Sequence, residues 1–167
     1  MFYRNKTVAV VGGGNSAAAD AKVLSRIAKK VILIHRRDTL RATKVYHDPL
    51  KNTENLELCW NSEVSELLHE NTLNGLKIRN VVTGEESVLE VDGLFISIGR
   101  TPVTALFADQ LELDPSGYIK ADESTQTNLP GVYAIGDVRT KVLRQIVTAV
   151  ADGAVAAHYA EEYLAGL

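Results

Sequence analysis

Residues 7–41 of the chain read TVAVVGGGNSAAADAKVLSRIAKKVILIHRRDTLR, and this stretch decides the fold that the sequence predicts. Thr7–Val11 is a continuous apolar run of mostly β-branched residues, typical of a parallel strand that helices cover on both faces. Gly12–Gly14 end that strand, and the alanine-rich segment from Ser16 to about Ala28 predicts a helix. Val31–Ile34 is a second buried strand, so the stretch predicts a right-handed βαβ unit.

The glycine turn between strand and helix has the spacing of a dinucleotide-binding motif, Gly12-x-Gly14-x-x-Ala17. Gly12 permits the tight turn, Gly14 leaves room for a pyrophosphate, and Ala17 keeps helix and strand close. Either Asn15 or Ser16 is expected to cap the helix, whose free N–H groups and positive dipole end attract phosphate. A tight turn without a ligand is the alternative, but the strand before the turn and the helix after it favour a nucleotide site.

Basic residues follow the second strand, at the place where NAD sites carry a carboxylate that binds ribose. The sequence there is His35-Arg36-Arg37-Asp38, and Arg41 follows in the same segment. A planar guanidinium suits a 2′-phosphate, and several close together suit a dianion. The cluster therefore predicts NADP(H) rather than NAD(H), with Asp38 orienting an arginine. A solvated cluster of surface arginines is the alternative.

An antiparallel meander is predicted for the middle of the chain. Ala42 to about His47 is first expected to be helical, with Pro49 ending or kinking the helix. Glycine-containing turns at Asn74–Gly75 and Thr83–Gly84 then predict hairpins. Leu56–Trp60 is predicted as a strand that precedes the meander, and the strands of the meander are predicted at Val64–Glu70, Leu76–Val82 and Glu86–Val91.

The last third of the chain is predicted to be a smaller piece that packs on something else. Gly93–Ile98 is an apolar run suited to a return into the parallel sheet, and a seam follows at Pro102–Thr104. Beyond the seam the sequence predicts a short turn or helix, two strands and one long helix, which together are too small to bury a core alone. These elements are Ala105–Leu113, Gly117–Ala121, Gly131–Ile135 and Gln145–Leu164.

Composition excludes several classes of protein. The 167 residues carry a formal net charge of −3 with 46% hydrophobic residues, which predicts a globular domain and no nucleic-acid or anionic-membrane surface. No apolar run reaches the ~20 residues of a membrane helix, and the N-terminus has no apolar core of a signal peptide. Cys59 is the single cysteine, so no internal disulfide can form. This fits a reducing cytoplasm, with Cys59 acting as a small hydrophobe in its strand.

Four stretches together resemble one known family. They are FYRNKTVAVVGGGNSAAADA, LIHRRDTLRA, LFISIGRTPVTALF and GYIKADESTQTNLPGVYAIGDVRTKVLRQIVTAVADGAVAA. In this order they are similar to bacterial low-molecular-weight thioredoxin reductase over nearly the whole chain. That family reduces disulfides with NADPH and FAD, and its NADPH domain is inserted between two halves of an FAD domain.

The resemblance implies an α/β protein with a Rossmann-like NADPH domain over residues 1–103, which contains the meander. Residues 104–167 then correspond to the C-terminal part of an FAD domain. The implied NADPH contacts are Gly12, Gly14, Asn15, Ser16, Ala17, His35, Arg36, Arg37, Arg41, Ile98 and Gly99. The implied FAD contacts are Gly136, Asp137, Arg144, Gln145 and Ile146. A thioredoxin-like protein is the implied partner of the complete enzyme, and no catalytic residue or metal ligand is expected in this chain.

Two parts of that family are missing from the sequence. The family's Cys-x-x-Cys pair lies just upstream of the segment that matches Phe2–Lys6, and the first half of the FAD domain is absent as well. We therefore expect that the chain alone does not reduce a disulfide, and that FAD binds only if the missing half-domain is supplied. The chain is interpreted as a truncated reductase, a stand-alone NADPH-binding module, or a subunit of a split flavoprotein completed in trans. Its uncovered surface predicts self-association.

Overall fold

The computed structural model describes residues 2–167, which fall into two compact units. The first unit ends at Gly99 and the second runs from Arg100 to Leu167. The strands of the first unit are β1 (Thr7–Val11), β2 (Lys30–Ile34), β3 (Leu56–Cys59), β4 (Ser62–His69), β5 (Leu73–Asn80), β6 (Glu86–Glu90) and β7 (Gly93–Ile96). Its α-helices are α1 (Asn15–Ser25) and α2 (His47–Lys51), and the second unit contains α3 (Ile146–Ala165).

The first unit is built on a four-stranded parallel sheet with the strand order β3-β2-β1-β7. The glycine turn connects β1 to α1, and β2 returns beside β1 as a βαβ unit requires. β7 pairs with the other side of β1, with Val8 opposite Gly93 and Val11 opposite Ile96. The predicted α/β fold and the return of the chain into the parallel sheet are therefore confirmed.

The two faces of this sheet are covered by different kinds of structure. On one face Val8 and Val10 pack with the buried alanines of α1, among them Ala17 and Ala21. On the other face Ala9 packs in one cluster with Leu76 and Ile78 of the antiparallel sheet β4-β5-β6 and with Val91, which directly follows β6. Helices on both faces were expected, whereas the meander provides the second layer. Cys59 is half-buried at the edge of this second cluster.

The first hairpin of the meander reverses earlier than the sequence predicts. Asn74 and Gly75 were expected to form the turn, but both lie inside β5. The chain reverses just after His69, which is paired with Leu73. Gly75 is buried between strands, where a Cβ would lie 3.1 Å from the carbonyl oxygen of Leu89. This glycine therefore permits close strand packing and does not form the turn.

Helix boundaries also depart from the predictions. Gly14 is the N-cap of α1 and no side-chain cap is formed, so neither Asn15 nor Ser16 takes that role. The helix stops at Ser25, and the side-chain amide of Asn55 donates to the carbonyl oxygens of Ser25 and Ala28. The side chain thus satisfies carbonyls that the helix end leaves unpaired.

Proline has a different place in α2 than the sequence predicts. Pro49 was expected to end or kink a helix, but it is the third residue of α2. A proline is tolerated in the first turn because the N–H that it lacks would have no partner inside the helix.

The second unit has one long helix and little regular strand. Gly117–Ala121 and Gly131–Ile135 were predicted as strands, yet they form only isolated bridges, Ile119 with Leu113 and with Arg139, and Tyr133 with Gln126. A small cluster around Leu111, Ile119 and Ala134 is its apolar core. None of the helices within residues 2–167 is long and apolar enough to cross a membrane.

A buried ionic cluster joins α3 to the Gly136–Val138 turn. Asp152 in α3 accepts hydrogen bonds from the backbone N–H of Gly136 (2.8 Å), from the Arg139 guanidinium (2.8 and 3.0 Å) and from Lys141 (2.6 Å). Arg139 is almost completely buried, with 1% of its surface exposed. Hydrogen bonding from Arg139, and then from Lys141 and Gly136, holds the pKa of Asp152 well below its usual range.

Asp152→Asn should destabilise the chain by about 3–5 kcal/mol at neutral pH, because it leaves the buried Lys141 without its anion and the buried Arg139 with only the exposed Glu123, at 3.5 Å. The pKa of Asp152 is depressed in the folded state, so its stabilisation is complete above the ordinary carboxyl pKa and is lost as the pH falls below it. Urea unfolding followed by circular dichroism at pH 7 and pH 3 measures both effects, with the exposed Asp109→Asn as the matched control. Equal stability of the two variants at pH 7 would contradict this role.

Candidate nucleotide-binding site

A crevice of about 260 Å³ opens at the carboxyl ends of the parallel strands. In open parallel sheets, ligands bind in the crevice outside these strand ends, where connections leave a central strand toward opposite sides. β1 is such a strand, because β2 and β7 pair with its two sides. The residues that line the crevice are Val11, Gly12, Gly13, Ile34, His35, Arg36, Arg41, Ser62, Glu63 and Ile98.

The glycines of the turn have different physical roles. Gly12 has a φ of +147°, and a Cβ on it would lie 2.3 Å from the carbonyl oxygen of Ser97 and 2.8 Å from the Cβ of Ala17. Gly12 therefore allows β1, β7 and α1 to approach one another closely. Gly14 has an ordinary φ of −93°, and nothing lies within 4 Å of where its Cβ would be. The space at Gly14 is open to a ligand at the start of α1.

The side chain of His35 packs against the glycine turn at Gly13. A Cβ on Gly13 would lie within 2.5 Å of three atoms of the His35 ring, so the ring fills the space that the glycine leaves. The ring is buried, and its Nε2 atom has no hydrogen-bond partner. Burial, followed by the charges of Arg41 and Arg37, lowers the pKa of His35. The imidazole is thus kept neutral, with one ring nitrogen left unpaired at the crevice wall.

The segment with the arginines is attached to the glycine turn through backbone groups. The carbonyl oxygen of Gly13 accepts hydrogen bonds from the N–H of Arg41 (2.7 Å) and of Ala42 (2.9 Å). The side-chain oxygen of Asn15 accepts a third from the N–H of Thr43 (2.8 Å). Leu40 and Ala42 are buried in the core beneath the segment. The position of the arginines is therefore tied to that of the turn.

The three arginines of this segment carry uncompensated charge. Arg36, Arg37 and Arg41 are exposed, and none of them forms an ion pair with another residue in the range 2–167. Asp38 makes no such pair either, so its predicted role in orienting an arginine is wrong. A cluster of free guanidinium groups beside a helix N-terminus suits a ligand with more than one phosphate.

The structure brings most of the predicted NADPH contacts to one edge of the sheet. Gly12, His35, Arg36, Arg41 and Ile98 line the crevice directly. Others lie at the first turn of α1 or at the ends of the neighbouring loops: Gly14, Asn15, Ser16, Ala17, Arg37 and Gly99. Of these, Ala17 is buried against Gly12, whereas Asn15 and Ser16 are exposed.

Five residues that line the crevice were not predicted as contacts: Val11, Gly13 and Ile34 adjoin predicted ones, whereas sequence reasoning missed altogether the segment that holds Ser62 and Glu63. They lie at the start of β4, just after β3 reaches the same sheet edge. The backbone N–H of Ser62 donates to the carbonyl of His35 (3.1 Å), which holds the beginning of β4 beside the end of β2. Ser62 and Glu63 closely follow the carboxyl end of the parallel strand β3, and this position in the sequence could have indicated them.

The predicted flavin contacts lie in the second unit around the Gly136–Val138 turn. The Asp137 carboxylate is paired with Arg100 at 3.3 Å. Arg144 stacks over the Tyr118 ring at 3.8 Å and donates to the backbone carbonyls of Asp137 and Arg139. Its guanidinium is thereby engaged within the unit.

The remaining predicted flavin contacts differ in how free they are. The N–H of Gly136 donates to Asp152, and the Gln145 side chain belongs to the capping box of α3. Only Ile146, with 86% of its surface exposed, is free of such contacts in this set. The residues present therefore fit a flavin in part.

A glycine turn and an arginine cluster at the carboxyl edge of a parallel sheet are typical of the Rossmann class of dinucleotide-binding folds. Residues 3–153 match the pyridine nucleotide-disulphide oxidoreductase family, and the chain belongs to that family. It is 49% identical to a thioredoxin reductase of Streptomyces coelicolor, over 100% of this chain and 52% of that protein. It is 44% identical to a thioredoxin reductase of Listeria monocytogenes, over 98% of this chain and 51% of that protein.

Solved structures agree with these relatives. A thioredoxin reductase from Streptococcus pyogenes superposes with a TM-score of 0.79 at 41% identity, over 99% of this chain and 55% of that one. One from T. acidophilum gives a TM-score of 0.75 at 35% identity, over 96% and 53%. The chain is thus thioredoxin reductase-like along its whole length and spans about half the length of the curated relatives that it matches.

Gly12→Ala and Gly14→Ala should affect different properties: the first mainly the stability of the fold, and the second mainly nucleotide binding. Gly12→Ala places a methyl group against the Ser97 backbone at a strained φ and should cost about 3 kcal/mol of stability. Gly14→Ala meets no protein atom, so we expect only the loss of a favourable N-cap residue, about 1 kcal/mol, together with weaker NADPH binding. Urea unfolding and nucleotide titration of both variants test this, and a strong destabilisation by Gly14→Ala would contradict the open space described at that residue.

Proposed function

We propose that the first unit binds NADPH, as the nucleotide-binding part of a thioredoxin reductase-like oxidoreductase. The observation that carries this proposal is the double hydrogen bond from Arg41 and Ala42 to the carbonyl of Gly13. It holds three unpaired arginines beside a glycine turn with an open space at Gly14. Both phosphate subsites of one dinucleotide are thereby supplied by adjoining segments of the chain.

The proposed contacts divide between these two subsites. The pyrophosphate lies against the start of α1, where the backbone of Gly14, Asn15 and Ser16 offers N–H groups and the helix dipole favours negative charge. The 2′-phosphate lies among Arg36, Arg37 and Arg41, whose planar donors match its oxygens. Ile98 and Gly99 complete the opposite side of the crevice, and His35 and Ala17 shape the turn from within the core.

Domain roles follow the same proposal. Residues 1–103 act as the NADPH domain, and residues 104–167 as the C-terminal part of an FAD domain, with Gly136, Asp137, Arg144, Gln145 and Ile146 as its flavin contacts. In the complete enzyme electrons pass from NADPH to FAD and then to a disulfide of a thioredoxin-like protein. Cys59 is the single cysteine of this chain, and we propose that this chain does not reduce a disulfide by itself because that reaction uses a pair of cysteines.

Two alternative functions are compatible with the same NADPH-binding site. The chain could be an NADPH-binding module without turnover, or a subunit of a split flavoprotein that a second chain completes. An exposed apolar surface in the second unit favours completion by more protein, or self-association of this chain. The residues of that surface are Val142, Leu143, Ile146, Val147 and Val150.

Arg36→Ala should weaken NADPH binding by at least about ten-fold and leave NADH binding nearly unchanged. Hydrogen bonds between charged groups are each worth about 1.5–3 kcal/mol, and NADH lacks the phosphate that would form them. Titration of nucleotide fluorescence measures both affinities. Arg26→Ala, an exposed arginine at the other end of α1, is the matched control. Equal losses for the two nucleotides in Arg36→Ala would refute the 2′-phosphate role.

A visible absorption spectrum of the purified chain separates the interpretations of the second unit. Because Gly136, Arg144 and Gln145 are engaged in contacts within the chain, we expect a colourless protein that binds NADPH. Co-expression with an N-terminal reductase half should restore bound flavin and activity if completion in trans operates. A yellow chain with bound FAD when purified alone would overturn the expectation that FAD needs the missing half-domain.

A further inference from the structure

Glu63 is the one acidic residue among the described residues that line the nucleotide crevice. The charged groups that share the crevice with it are Arg36 and Arg41, and the remaining lining residues are neutral or apolar. A carboxylate in a site for a highly anionic ligand repels the phosphates unless it faces a part of the ligand that donates hydrogen bonds. Glu63 is therefore expected to face an uncharged part of the ligand that donates a hydrogen bond.

The backbone holds Glu63 next to the arginine segment. The N–H of Asn61 donates to the carbonyl of Arg37 (3.2 Å), and the N–H of Ser62 donates to the carbonyl of His35 (3.1 Å). Asn61 has a positive φ of 51°, which turns the chain sharply from β3 into β4. These contacts place the start of β4, and Glu63 with it, beside the residues proposed to bind the 2′-phosphate.

Arg79 of the neighbouring strand β5 orients the Glu63 carboxylate. The two residues are directly paired in the antiparallel register, and the Arg79 guanidinium donates to Oε1 of Glu63. The structure gives Oε2 no hydrogen bond within residues 2–167. The side chain is 41% exposed, so solvent or a ligand can reach it. One oxygen is thus held in place and the other is available as an acceptor.

The chemistry of an adenine dinucleotide narrows what Glu63 can contact. An ionised carboxylate only accepts hydrogen bonds, and the donors at the 2′-phosphate end of NADPH are the 6-amino group of adenine and the 3′-hydroxyl of its ribose. The crevice beside Glu63 also has apolar walls, Val11, Ile34 and Ile98, which suit the faces of a purine ring. An aromatic base between apolar walls presents its polar edge to the rim of the pocket.

We propose that Glu63, held by Arg79, determines base specificity by accepting a hydrogen bond from the adenine 6-amino group. This inference rests on the proposed function, because it assigns the base end of the same NADPH site. It adds that the crevice selects a purine with an amino group at position 6 and rejects one with a carbonyl oxygen there. The arginines select the phosphate and Glu63 selects the base.

The test uses NADPH and nicotinamide hypoxanthine dinucleotide phosphate, in which a carbonyl oxygen replaces the 6-amino group of adenine and the adjacent N1 carries a hydrogen. The unaltered chain should bind NADPH at least about ten-fold more tightly, because the carbonyl oxygen leaves the carboxylate unpaired and facing a lone pair. In Glu63→Gln the amide oxygen still accepts from Arg79, so the amide NH2 faces the ligand and can donate to a carbonyl oxygen but cannot accept from an amino group; the preference for NADPH should therefore be lost or reversed.

Controls separate this inference from the proposed function. Glu66→Gln changes an exposed glutamate of the same strand that does not line the crevice, and it should keep the full preference. Thermal unfolding of each variant checks that the fold is intact. Equal affinity of the unaltered chain for the two nucleotides, or a preference that survives in Glu63→Gln, overturns the role of Glu63 alone. Equal losses for both nucleotides in Glu63→Gln point to a ribose contact and also overturn it. Failure of the unaltered chain to bind NADPH overturns the proposed function as well.

Discussion

The carbonyl oxygen of Gly13 accepts two backbone hydrogen bonds, from Arg41 and from Ala42, and the arrangement of the nucleotide site depends on this contact. Surface loops are ordinarily mobile, and interactions of exposed arginines with other charges contribute little to the stability of the fold. Here the loop is fixed at one end by β2 and at the other by the glycine turn, with Leu40 buried beneath it. The backbone that carries the three arginines is therefore held in place before a ligand arrives, which lowers the entropy cost of binding.

The same turn depends on contacts from other elements. Gly12 lets the Ser97 carbonyl approach from β7, and Gly13 lets the His35 ring approach from β2. Each glycine thus leaves room for one neighbour from another segment. A side chain at Gly12 would push Ser97 away from the turn, and a side chain at Gly13 would push His35 away. The antiparallel sheet contributes as well, because it packs on Ala9 and brings the start of β4 to the crevice. The sheet that covers the core also carries a wall of the site.

The two units differ in how much regular β-structure they contain. The first has continuous strand ladders on both sides of β1. The second has isolated bridges and relies on Asp152, Arg139 and Lys141 to join its helix to its loops. A buried ionic cluster adds specificity only where every member is paired. This cluster meets that condition through four donors to one carboxylate, and it also fixes the Gly136 backbone.

Local patterns in the sequence were sufficient for the parallel sheet and the glycine turn. β-branched runs define β1 and β2, because a strand buried on both faces must be apolar at every position. They were not sufficient for the hairpin at Asn74–Gly75, where a glycine serves strand packing and not a turn. They also failed for Gly117–Ala121 and Gly131–Ile135, whose apolar residues find no neighbouring strand with which to form a ladder. Glycine and short apolar runs each have more than one structural use, and only the neighbours in space select among them.

Contiguous residues were enough to predict the βαβ unit, the position of the glycine turn and the residue types available for phosphate. The tertiary structure decided how those residues meet. It decided that the Gly13 carbonyl holds the arginine segment, that His35 supports the turn as a neutral ring, and that Glu63 reaches the crevice from a strand 51 residues after Gly12. The physical reason is that hydrogen bonds and close packing between distant segments depend on strand order and register, which no local pattern contains.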